Sequence, residues 1–79
     1  MTEAEWAELK VGDSINLIGN PKIRFTITEV NDLNTPKEQK TKASWESKGW
    51  KNPQWLMRLE NKDGIHTWHV CGDGYEITA

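Results

Sequence analysis

Cysteine is nearly absent. Cys71 stands alone among 79 residues, so no internal disulfide can staple the fold, and a lone thiol fits a reducing cytosol. Long hydrophobic runs are missing too. Met1 to Lys10 carries Glu3, Glu5 and Glu8 without an apolar stretch, which reads as neither a signal peptide nor a membrane span, and no later segment comes closer. The expectation is a cytoplasmic protein that makes no use of a membrane. An excess of positive charge is lacking as well. Ten Lys and Arg face twelve Asp and Glu, a net charge of −2, which speaks against a surface that is a nucleic-acid footprint throughout.

The motifs of catalysis are also missing. No nucleophile has a recognisable motif around it, no glycine-rich phosphate loop opens a helix, and Asp13, Asp63 and Asp73 each adjoin a glycine, where turn chemistry accounts for them. An enzyme is not expected, and no cofactor is implied. His66, His69 and Cys71 form an H-x-x-H-x-C cluster of zinc-ligand types. Residues three apart on a strand point to opposite faces, so His66 and His69 do not meet on one ion, and no metal is expected.

What is present is tryptophan, five residues in a chain with one Phe and one Tyr. Each can remove roughly 150–250 Å² from water. That matters in a single domain of this size, where one core supplies only about 3–5 kcal/mol.

The strongest local signal is Asp63-Gly64 between two alternating runs, Gln54 to Lys62 and Ile65 to Val70. A two-residue turn there pairs Leu59 with Trp68, Arg58 with His69 and Met57 with Val70. Trp55, Met57, Leu59, Trp68 and Val70 then share an apolar face, and Arg58, Glu60, Thr67 and His69 a wet one.

Upstream, Thr2-Glu3-Ala4-Glu5 matches a capping box and predicts a short helix that presents Trp6 and Leu9 on one edge. Ser14 to Ile18 and Ile23 to Val30 read as strands. In the second, Glu29 falls on the apolar face and Val30 on the polar one, which points to a bulge or the end of the strand. Gly72-Asp73-Gly74 marks another turn, and Tyr75 to Thr78 a short edge strand. Residues 31–53 form a long connection without either periodicity, with Asn31 to Lys42 expected to be mobile and a helical turn available at Ala43 to Ser47.

Five short strands, one helical turn and no crossover helix predict a mainly all-β domain over residues 1–79, a small SH3-like barrel of about five antiparallel strands with a short N-terminal helix and a long loop 31–53. Within it, Leu9-Lys10-Val11-Gly12-Asp13, then Ile15-Asn16-Leu17, Asn20-Pro21 and Thr26-Ile27-Thr28-Glu29-Val30, resemble the opening of the small bacterial YodC-like proteins and, more loosely, barrels of the KOW type. The likeness covers about a third of the chain; it implies a barrel and no activity.

Residues 37–51 hold five lysines against Glu38 and Glu46, so positive charge is concentrated in the connection that also carries Trp45 and Trp50. Those two tryptophans lie outside any strand period and are expected to serve binding more than folding. The reading is a protein-binding module acting through Trp45, Trp50, Lys42, Lys48 and Lys51, with Arg58 on the neighbouring wet face. Small size and one elaborated loop fit a phage or mobile-element inhibitor of a host factor. The alternative is single-stranded nucleic acid, with indoles stacking on bases and Lys42, Lys48, Lys51 and Arg58 tracking phosphates.

Overall fold

The structure, a computed structural model, describes residues 1–78. In chain order it contains α1 (Glu3–Ala7), β1 (Ser14–Leu17), β2 (Asn20–Asp32), a 3-10 turn (Pro36–Glu38), α2 (Gln39–Ser47), β3 (Trp55–Glu60), β4 (His66–His69) and β5 (Tyr75–Ile77). The strands make one antiparallel sheet in the order β4-β3-β2-β1-β5. The domain is thus mostly β, as its alternating patterns predict. No helix among the described residues is long and apolar enough to cross a membrane.

α1 begins as its sequence prescribes. The Thr2 hydroxyl accepts from the Glu5 amide at 3.1 Å, and the Glu5 carboxylate accepts from the Thr2 amide at 2.9 Å. Two otherwise orphaned N–H groups are satisfied, and these bonds hold the Glu5 carboxyl below its usual range. The helix then buries Trp6, and Leu9 follows it into the core.

β2 is longer than the predicted strand because two neighbours use different halves of it. β1 pairs with residues 20–26 and β3 with residues 26–32, so Thr26 faces both Ser14 and Glu60. The expected irregularity is a bulge. Ile27 pairs with Leu59 and Glu29 with Arg58, which leaves Thr28 as the extra residue. The insertion restores the period: Glu29 is exposed and Val30 packs against the core.

The sheet is rolled. Its edges, β4 and β5, lie four strand spacings apart, about 19 Å if the sheet were flat and beyond the joint reach of two side chains. Yet the Tyr75 hydroxyl sits 3.2 Å from His69 Nε2, with ring centroids 5.6 Å apart. Inside the roll lie Trp6, Leu9, Ile15, Ile27, Met57, Leu59 and Tyr75.

The β3–β4 hairpin departs from the predicted register by one residue. Leu59 pairs with Thr67, Arg58 with Trp68 and Met57 with His69. Asn61 is the cause. Its side-chain oxygen accepts from the amides of Asp63 (2.9 Å) and Ile65 (3.0 Å), and its own amide donates to the Ile65 carbonyl, closing a three-residue loop. Gly64, at φ +80°, supplies the left-handed residue this turn requires. A one-residue slip exchanges faces. Trp68 and Val70 leave the Leu59 face for that of Leu56 and Arg58, while Thr67 and His69 join the inner face.

That second face is therefore not simply wet. Leu33, Leu56 and Val70 form a second buried cluster, flanked by Trp45 and Trp68. Leu33 pins the connection expected to be mobile. Its amide donates to the Gln54 carbonyl at 2.9 Å, and Gln39 Nε2 donates to the Leu33 carbonyl at 3.1 Å. Asp32 holds the turn before α2 by accepting from Asn34 and Thr35. Residues 36–42 are thus helical, a correction to the sequence reading. The helical turn available at Ala43 to Ser47 is present as the second half of α2; the first half escaped because the inward stripe of Glu38, Thr41, Lys42 and Trp45 has a single large apolar residue to mark the helical period.

Leu33→Ala should cost about 2–4 kcal/mol, as a fully buried leucine does. Amide exchange should accelerate across 36–47 more than in β1 and β2. Equal acceleration everywhere would show that the second cluster is not a separate anchor.

Candidate functional site

Three segments distant in sequence bound a cleft of about 710 Å³, within the usual range for ligand sites. α1 forms one wall, residues 50–55 the second and residues 70–73 the third. Their junction is fixed by specific bonds. Trp6 Nε1 donates to the Trp55 carbonyl at 3.2 Å, and Trp55 is held in the ladder opposite Asp32. Gly72 has no side chain because the Met1 and Trp6 side chains occupy that space, so any Cβ would collide with them. Asn52 adopts φ +45°, which turns the chain from α2 into the buried Pro53 and sets Trp50 and Trp55 along the same cleft.

The lining divides by chemistry. Trp6, Pro53 and Val70 are buried beneath it, Trp55 is half-buried, and Trp50 is 38% exposed. Glu3, Lys51 and Asp73 lie exposed at its border. Among the described residues, no three His, Cys, Asp or Glu side chains converge as metal ligands would. His66 and His69 point to opposite faces of β4. Flat indole surface with mixed charge around it equips the cleft for recognition.

The residues singled out from sequence do not form one site. Trp50 and Lys51 meet in the cleft. Trp45 instead packs against the second cluster, with Lys48 Nζ 4.5 Å from its ring centroid. Lys42 donates to Asn34 Oδ1 at 3.0 Å, and Arg58 lies on the sheet, bonded to Thr28 Oγ1 at 2.8 Å and 3.6 Å from Glu60. Trp6, Trp55, Glu3 and Asp73 were not expected in the same place. Nothing in their spacing announces it, since only the rolled sheet brings residues 3, 55 and 73 together.

Beside the cleft, burial holds the His69 imidazole below its usual pKa. Burial, and after it the neighbouring Cys71, raises the Tyr75 hydroxyl. His69 is therefore neutral in the folded protein at neutral pH. The unfolded chain takes up a proton at about 6.5, before the folded one does, so this part of the stability is intact above 6.5 and lost as pH falls below it. The melting temperature should drop as pH falls from 6.5 toward the lowered folded-state value, and His69→Asn should remove that dependence. The Glu5 contribution is lost only at lower pH, below 4.5. An unchanged profile in His69→Asn would deny His69 this role.

The two tryptophans of the connection should separate in a second experiment. Trp45→Ala is expected to cost about 1.5–3 kcal/mol, a reduced core penalty for a half-buried indole. Trp50→Ala should stay within about 0.5 kcal/mol, as exposed sites do. Equal losses in thermal melts would contradict their separate placement. No protein-family model, curated protein or solved structure matches the chain.

Proposed function

We propose that this protein is a non-catalytic module that binds another protein through the cleft between α1, residues 50–55 and residues 70–73, with Trp50 as its anchor. One observation carries the reading. Trp50 is a large indole left 38% exposed at a cleft, in a chain that has buried Trp6 and packed Trp45 and Trp68 against its second cluster. Tryptophan is the residue most concentrated at interface hot spots, because it covers much area with few rotors. Trp45 leaves the list of anchors, and Lys51 stays beside Trp50 as a polar contact. A cytoplasmic location goes with this role and with the free thiol of Cys71.

Single-stranded nucleic acid is the second reading, favoured by exposed Lys37, Lys40, Lys48 and Lys51. The cleft offers it no positive excess, since Glu3 and Asp73 there stand against Lys51 and the Met1 ammonium.

Affinity capture from the source cell, with wild-type protein and Trp50→Ala side by side, tests both. On the first reading, the partner survives nuclease and moderate salt, and Trp50→Ala weakens its binding by about tenfold or more. Nuclease-sensitive capture that falls steeply with salt supports the second. A partner bound equally by Trp50→Ala would remove the cleft from consideration.

A further inference from the structure

We draw no further inference here: the strongest candidate, the His69–Tyr75 side-chain pair where the edges of the roll meet, taken as a pH-sensitive clasp, rests beyond the acid sensitivity already derived on the lowered pKa of His69 alone.

Discussion

Much of this structure depends on the side chain of one turn residue, Asn61. By accepting from the amides of both Asp63 and Ile65 it makes the hairpin loop three residues long instead of two. The extra residue sets the register, and the register sends Trp68 and Val70 to the face of β3 that carries Leu56. An apolar patch on that face must be covered, and the covering element is the segment that returns from β2 through Leu33 and α2. A pair of hydrogen bonds worth about 1 kcal/mol each thus decides which side of the sheet the long connection packs against.

The result is a small domain with two apolar clusters on opposite faces of one sheet. The inner one is closed by rolling, with α1 plugging it through Trp6 and Leu9, and with His69 and Tyr75 meeting across the strand edges. The outer one is smaller and is assembled from Leu33, Leu56 and Val70 with two half-buried indoles at its margin. Using both faces increases the apolar area removed from water, which a chain with no disulfide needs. It also consumes tryptophans. Trp6 is spent inside the roll and Trp45 and Trp68 on the second cluster, which leaves Trp50 as the exposed one.

The position of Trp50 follows from that arrangement. α2 ends at Ser47 because Gly49, at φ +101°, takes the left-handed conformation that stops a helix, and the chain then crosses from the second face to the start of β3. Asn52 and the buried Pro53 make the crossing tight. The crossing passes α1 and the 70–73 turn, so the cleft is a by-product of packing the connection against the outer face. Its charge comes from several segments, Lys51 from the crossing, the Met1 ammonium and Glu3 from the α1 side and Asp73 from the last turn.

What the sequence by itself determined is local. The capping box at Thr2 and Glu5, a break of period at Glu29 and Val30, the mostly β character and the existence of the β3–β4 hairpin follow from spacing and from nearest-neighbour chemistry, and all are present. That the break is a bulge at Thr28 and not the end of the strand was decided by the pairing with β3. The hairpin register escaped because Asp63-Gly64 suits a two-residue turn or a three-residue one, and an Asn61 side chain three bonds from the backbone chose between them. The helical turn at Ala43 to Ser47 was legible, but the start of α2 and the turn before it escaped because a helix held by one leucine and one tryptophan has no apolar period of its own. The separate fates of Trp45 and Trp50, and the meeting of Trp6, Trp55, Glu3 and Asp73, were decided only by the tertiary structure. Four residues lie between the two tryptophans in sequence, but one faces a cluster built from β3 and the residues that follow β2 and β4, while the other borders a cleft with α1. Such contacts are set by where a rolled sheet brings its ends together, a property of the whole chain and of no window within it.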